Sequence, residues 1–504
     1  MRSKHKAVII LFFLLIFLGG CARPSGEYTI WRLEPTVDPN LPATKTPFLP
    51  ATRVPGAPIL TPTPDLPRSL PEARTESETY IVQYGDSLGA IASRFGVNIN
   101  IIITANNITN PNLIEPGQVL LIPAPTMQPE GSGFKIIPDS ELVYGPASTT
   151  LDVDAFVRSS SGWLKTYSEP VDGEQTSGAA IIQRISEEYS VNPRLLLAIL
   201  EYQSGALTFT SQSAEMKLHP VGYLESWRVG LYTQLAWAAN ELNRGYYLWK
   251  VNALPLLLLP DNSAIPPNPS INAGTAAVQH LFSRLNDYHA WLKSVSAEGV
   301  FSTYQSWFGY PFDLAIEPLL PVNLNQPLMI LPFEPGNSWS FTGGPHGGWG
   351  DGSGWAALDF APPGEGQGCV LSPYWVTAVA DGLIVRSENG SVIQDLDGDG
   401  YEQTGWTVLY LHIDSSERVA AGTYVKAGEP IGHASCEGGF SLGSHVHLAR
   451  RYNGEWIPAD GSVPFNLEGW ISQGDGIEYN GRLVKNGVVV EAWDRFVPQN
   501  QIQR

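Results

Sequence analysis

Five residues in the last third of the chain have the types and spacing to act on one metal ion and one substrate: His346, Asp359, His412, His445 and His447. His445 and His447 lie two apart in H-V-H-L-A-R-R-Y, which reads as a strand. Side chains two apart on a strand share a face. Such a face can offer both imidazoles to one ion, or use one as a ligand and the other to handle protons. The run T-V-L-Y-L-H, residues 407–412, reads as a second strand with His412 near its end. Three nitrogen or oxygen ligands plus a bound water describe a catalytic zinc site, where the water's pKa falls to about 7. The plainer alternative is that a lone His-x-His packs in a core or on a surface. Against it stands the set, which takes four of the nine histidines.

The pieces L-D-F-A-P-P, L-Y-L-H and G-S-H-V-H, in this order, resemble the LytM/lysostaphin-type zinc metallopeptidases that cut peptidoglycan cross-bridges. The resemblance spans roughly residues 328–480. In most of that family the first histidine lies four residues before the aspartate, where this chain has Trp355. His346 lies thirteen residues before Asp359, in a Gly-rich stretch, which resembles the staphylolysin branch. The resemblance therefore implies His346, Asp359 and His447 as zinc ligands. It implies His412 and His445 as the histidines that orient water and stabilise the oxyanion. The glycines around His346 suggest a mobile loop that helps admit a bulky wall peptide.

Composition bounds the rest. A chain of 504 residues is too long for one core, so three or more units are expected. A net charge of −19 argues against a nucleic-acid partner. Lys4, His5 and Lys6 precede an apolar run over residues 7–18 and then L-G-G-C. The run is short for a membrane span. Its pattern looks like a bacterial lipoprotein signal over residues 1–20, with Cys21 lipidated, and places the protein outside the cytoplasm, facing the wall. The alternative is an ordinary signal or an uncleaved anchor. In that compartment the remaining pair, Cys369 and Cys436, is expected as a disulfide, with metal ligation as the rival reading.

Residues 21–77 are rich in Pro and Thr and read as an extended linker. Residues 78–124 show a βααβ pattern with Y-G-D-S-L, N-N-I and P-G-Q-V-L-L-I-P. Asp86 or Ser87 caps a helix whose apolar side is Leu88, Ile91, Ala92 and Phe95. This pattern resembles a LysM module, which implies binding to N-acetylglucosamine-containing glycan. The groove would involve Gly85, Asp86, Ser87 and Leu88 on one side and Ile108 and Asn110 on the other. A LysM-like fold without glycan affinity is the alternative.

Residues 125–152 read as a second linker, and residues 153–325 as a mostly helical unit. Asn192 and Pro193 form an N-cap and N1 pair that opens P-R-L-L-L-A-I-L-E-Y-Q-S-G, apolar nearly all round and so buried. The stretch resembles the start of a lysozyme-like, transglycosylase-type domain. Gln203 stands where that family carries its acid glutamate, and an amide cannot serve as general acid. Glu201 points about 200° away on a helix. The unit is therefore expected to lack glycosidase activity.

Residues 326–504 form the expected metallopeptidase domain, antiparallel and β-rich, in a chain of multidomain α+β class. Within it, D-L-D-G-D-G-Y places Asp395, Asp397 and Asp399 as in the first half of an EF-hand calcium loop. Position twelve would be Trp406, so the loop is incomplete, and a solvated acidic turn is the alternative. The whole reads as a wall-directed zinc metalloendopeptidase, with peptidoglycan and the lipid-anchored membrane as partners. The alternative is a non-hydrolytic lipoprotein that activates a cell-wall amidase. Proteins of that kind typically lack the metal ligands.

Overall fold

The computed structural model describes residues 68–70, 72, 74–364 and 368–504. The expected signal segment, Cys21 and nearly all of the first linker lie outside the described residues. Among the described residues no helix is long and apolar enough to cross a membrane.

The first unit is the expected βααβ. Strands Glu78–Ile81 and Val119–Ile122 pair antiparallel, and helices Leu88–Phe95 and Ile99–Ala105 lie between them in sequence. Ser87, not Asp86, caps the first helix, its hydroxyl accepting the Ala90 N–H at 3.2 Å. Asp86 instead accepts from the Gln83 N–H and the Tyr80 hydroxyl, both at 2.7 Å, which closes the turn. Leu88, Ile91 and Ala92 are buried with Val82, Ile102, Leu120 and Ile122.

The helical unit begins earlier than expected. Residues 125–152 are not a linker. Thr126–Met127 pairs parallel to Ser263–Ile265, and Ile136, Ile137, Leu142 and Val143 are fully buried. Four apolar side chains within eight residues have too much surface to leave in water. The long helices are Gly178–Tyr189, Pro193–Ser204, Leu231–Lys250 and Ala273–Leu285. Asn192 caps the second through the Arg194 N–H, and Leu195–Leu200 are buried throughout.

The C-terminal unit is built on a nine-stranded sheet. Its order is Tyr424–Val425, Gly382–Glu388, Ser391–Asp395, Trp406–Leu411, Val446–Tyr452, Ala357–Ala361, Ser338–His346 and Gln501–Gln503, with Glu455–Trp456 beside Val446–Tyr452. The central strands are buried on both faces, and their period of two divides them between two cores. Val408, Tyr410, Leu448, Leu358 and Phe360 join the unit's own core. Leu409, Leu411, Ala449 and Ala357 join the core of the helical unit. The two units are thus fused through one face of the sheet.

Charged groups are sealed into that junction. Glu402 accepts from Arg386 at 2.9 and 3.0 Å and from Arg451 at 2.7 Å. Glu187, from helix Gly178–Tyr189, reaches only to 3.9 Å from Arg386. Burial pushes Glu187 up to about 8, with Arg386 pulling the other way. An unfolded Glu titrates near 4.3, so this group's contribution to stability is full below about pH 4 and lost as pH rises toward 8. Glu187→Gln should flatten the fall of stability across that window, as read from urea midpoints at pH 5, 7 and 9.

Cys369 and Cys436 form the expected disulfide, with Cα atoms 5.4 Å apart and a sequence separation of 67. Chain entropy alone assigns such a loop about 4 kcal/mol, so Cys369→Ser should lower the unfolding free energy in denaturant by about that amount.

Candidate metal and catalytic centre

Three adjacent strands bring the ligand set together. Val446–Tyr452 and Ala357–Ala361 pair with His447 opposite Asp359, and Ser338–His346 pairs with Ala357–Ala361 with His346 opposite Ala357. The register slips between Gly343 and His346, and such a bulge re-aims the side chain that follows it. Gly343 is a glycine of necessity, because a Cβ there would lie 2.6 Å from Asp359 Oδ2.

The donor atoms converge. His346 Nε2 and His447 Nδ1 are 3.0 Å apart and lie 3.3 and 3.2 Å from Asp359 Oδ1. Ligand atoms about 2.0–2.1 Å from a tetrahedral ion stand about 3.3 Å from one another, so the spacing fits zinc. Asp359 Oδ1 is buried and has no hydrogen-bond partner, a costly arrangement unless a cation occupies its lone pairs. The outer nitrogens are also set. His346 Nδ1 donates to the Gly344 carbonyl at 2.8 Å and His447 Nε2 to the Gly348 carbonyl at 3.0 Å. Each bond fixes the tautomer that leaves the inward nitrogen free to ligate.

Electrostatics agree with the geometry. Burial opposes charge on Asp359, yet His346 and His445 hold its carboxyl well below the usual range. Burial lowers His447, keeping it neutral. His412 is pushed down to about 3 by burial and by the neighbouring His445 and His447.

His412 and His445 line the cleft beside this triangle, with ring centroids 4.6 Å apart. His445 Nε2 lies 3.7 Å from Asp359 Oδ1, on the same side as His447. Both rings present Nε2 inward, because each Nδ1 donates to a carbonyl: His412 to Glu437 at 3.0 Å and His445 to Gly443 at 2.8 Å. His412 is held at φ +66°, a left-handed conformation unusual for a side-chain-bearing residue.

The long spacing between His346 and Asp359 has a structural cause. The intervening segment packs against the helical unit: Asn240 binds the Gly352 N–H at 2.9 Å and Asp351 at 2.7 Å, and Tyr189 meets Trp349 edge-on. This corrects the expectation of a mobile Gly-rich loop. Gly348 lies so close to the Trp456 ring that a Cβ would stand 2.5 Å from it. The glycines here permit close approach. Trp355, at the commoner ligand position, offers a backbone carbonyl to the Ala459 N–H.

Two side chains at the site were not anticipated. Tyr479 stacks on His346, with centroids 4.3 Å apart, and Glu478 accepts from the Gly347 N–H at 3.4 Å. They arrive from a loop more than 130 residues beyond His346, and nothing in G-I-E-Y-N marks them. Val370, Leu371, Phe440 and Leu442 are exposed on the two segments that Cys369–Cys436 joins, next to His445.

Asp395, Asp397 and Asp399 lie within ligating distance of one another. However, Asp395 already accepts the N–H groups of Asp397, Gly398 and Gly400, and Asp399 those of Tyr401 and the Thr404 hydroxyl. Trp406 begins the next strand and supplies no carboxylate. Calcium is not supported, and the acidic turn is stabilised by its own hydrogen bonds. In the first unit Gly85, Ser87 and Asn110 are exposed and Asp86 and Ile108 half-buried. Leu88 is a core residue, so its side chain does not line a groove. In the helical unit Gln203 donates to the Val221 carbonyl at 2.6 Å, and Glu201 accepts the Leu207 N–H at 2.6 Å.

Comparison with known proteins agrees with this division. Residues 80–123 match the LysM domain, 135–322 the LasA N-terminal domain and 361–458 Peptidase family M23. The unit expected to be lysozyme-like is thus a LasA N-terminal domain. The chain is 26% identical over 344 residues to Protease LasA of Pseudomonas aeruginosa, across 64% of this chain and 75% of that protein. A 50-residue stretch is 50% identical to the N-acetylmuramoyl-L-alanine amidase XlyA of Bacillus subtilis, 10% of this chain and 17% of that one. Among solved structures, the M23 metalloprotease pseudoalterin from the deep sea is 24% identical, covers 36% of this chain and 99% of its own, and has a TM-score of 0.29.

Proposed function

We propose that this homologue of Protease LasA, with its LysM, LasA N-terminal and M23 domains, is a zinc metalloendopeptidase that cuts peptide bonds in peptidoglycan cross-bridges or stems. One observation carries the reading: the buried, unpartnered Asp359 Oδ1 faces His346 Nε2 and His447 Nδ1 at ligand spacing. Zinc bound there supplies a Lewis acid for the scissile carbonyl and lowers the pKa of water. The rest is done by the chain. His412, neutral and with Nε2 free, takes the proton of the attacking water and passes it to the leaving amine. Protonated on both ring nitrogens, His445 keeps its Nδ1–H bond to the Gly443 carbonyl and donates from Nε2 to the oxygen that becomes negative in the tetrahedral state. The protein dipoles that serve both steps are already oriented by backbone carbonyls.

The LysM domain, through the turn at Gly85, Asp86 and Ser87 and the loop at Ile108 and Asn110, holds the enzyme on glycan. Tethering to an insoluble substrate raises its effective concentration. Cys21 carries the lipid that keeps the chain on the outer face of the membrane. The amidase-activator reading is disfavoured because the ligand set is complete. With Gln203 and Glu201 committed to backbone groups, the full chain should release no reducing ends from glycan strands; their appearance would restore a glycosidase role.

The deciding experiment is mass spectrometry of peptidoglycan fragments after incubation with the full chain, with and without a zinc chelator. New peptide termini that vanish on chelation support the endopeptidase and name its bond. Identical fragments from several wall types would return the weight to the activator.

A further inference from the structure

We infer that Ser435 is the positioning residue for the His412–His445 pair, and that the Cys369–Cys436 bridge holds it in place. The inference rests on the reading of those histidines as proton carriers. Ser435 is buried, and each of its polar groups leads to one of the two. Its N–H donates to the His412 carbonyl at 2.7 Å and its hydroxyl to the same oxygen at 3.1 Å. The hydroxyl also accepts the Glu437 N–H at 3.0 Å, and the Glu437 carbonyl accepts His412 Nδ1–H at 3.0 Å. A closed ring therefore runs from the His412 carbonyl, through the Ser435 hydroxyl to the Glu437 N–H, along Glu437 to its carbonyl, and back to the His412 imidazole. On its other side the Ser435 carbonyl accepts the His445 N–H at 3.4 Å.

The ring has work to do. His412 sits at φ +66°, which persists only when the surroundings over-determine it. The hydroxyl bridges its backbone carbonyl to the N–H of Glu437, the residue whose carbonyl orients its ring. Cys436 lies between Ser435 and Glu437 and is bonded to Cys369. The turn at Cys369 also receives the Ser444 N–H on the Gly368 carbonyl at 3.2 Å, one residue before His445. The bridge thus fastens both histidines' supports to one another.

The test uses the full chain, zinc-loaded, as wild type, Ser435→Ala, Ser435→Thr and His412→Ala. The probe is an equal mixture of Gly-bridged and directly cross-linked muropeptides. Alanine keeps both backbone bonds of Ser435 and removes only the hydroxyl. Ser435→Ala should lower kcat by about 10–100-fold, the range for losing a group that orients a working side chain, with KM and zinc content unchanged. Ser435→Thr, which keeps the hydroxyl, should recover most of kcat. Independently of turnover, 15N-histidine NMR should show the His412 Nδ1–H signal, identified by its loss in His412→Ala, broadened by solvent exchange in Ser435→Ala and retained in Ser435→Thr. Wild-type kcat together with an unchanged signal in Ser435→Ala overturns the inference, as does equal loss in the threonine variant. If wild type and His412→Ala are equally inactive but the signal still depends on the hydroxyl, the functional reading fails and the positioning role of Ser435 stands.

Discussion

His447→Ala should leave a folded protein that no longer retains zinc. His447 is one corner of a triangle whose sides are 3.0, 3.2 and 3.3 Å, and its Nδ1 faces both other donors. Removing a mere hydrogen-bond partner of a metal ligand costs about 10–100-fold in affinity, so removing the ligand itself should cost more than about 100-fold. Turnover should fall to that of the chelated wild type. The metal-free fold should hardly notice, because the strand's pairing and its neighbours Leu448 and Ala449 are untouched. Competition with a chromophoric chelator measures the affinity and circular dichroism the fold. Full metal occupancy in the variant would overturn the ligand assignment.

His412→Ala should give the opposite pattern: zinc retained and turnover lost. His412 is outside the triangle, and among the described residues its inward Nε2 has no hydrogen-bond partner. Among the described residues its side chain makes one hydrogen bond, from Nδ1 to the Glu437 carbonyl, which orients the ring without contributing to the fold's core. A positioned general base contributes about 10²–10⁴-fold to rate, and that factor should be missing from kcat. Alanine meets the same left-handed backbone cost at φ +66° as histidine, so stability should change little. Undiminished peptide cleavage by His412→Ala would remove it from the mechanism.

The sequence by itself determined the kinds of element and the chemistry they carry. The helix face of Leu88, Ile91 and Ala92 and the cap at Asn192 are local, set by a turn or two of chain, and the described structure keeps them. The shared face of His445 and His447 followed from a period of two. The disulfide followed from compartment and count. Tertiary structure decided what depends on distant partners. Residues 125–152 look polar and broken, yet strand Ser263–Ile265 and the helical core give them a place. The glycines after His346 read as freedom, but Trp456 and Asn240 turn them into close contacts. Tyr479 reaches His346 from the far end of the domain, and Glu187 meets Arg386 across two units. The same face of the sheet that carries the ligands also seats the helical unit, because alternate residues of Trp406–Leu411 serve two different cores. A pattern of continuous burial announces that a strand is covered on both sides; only the assembled chain says by what.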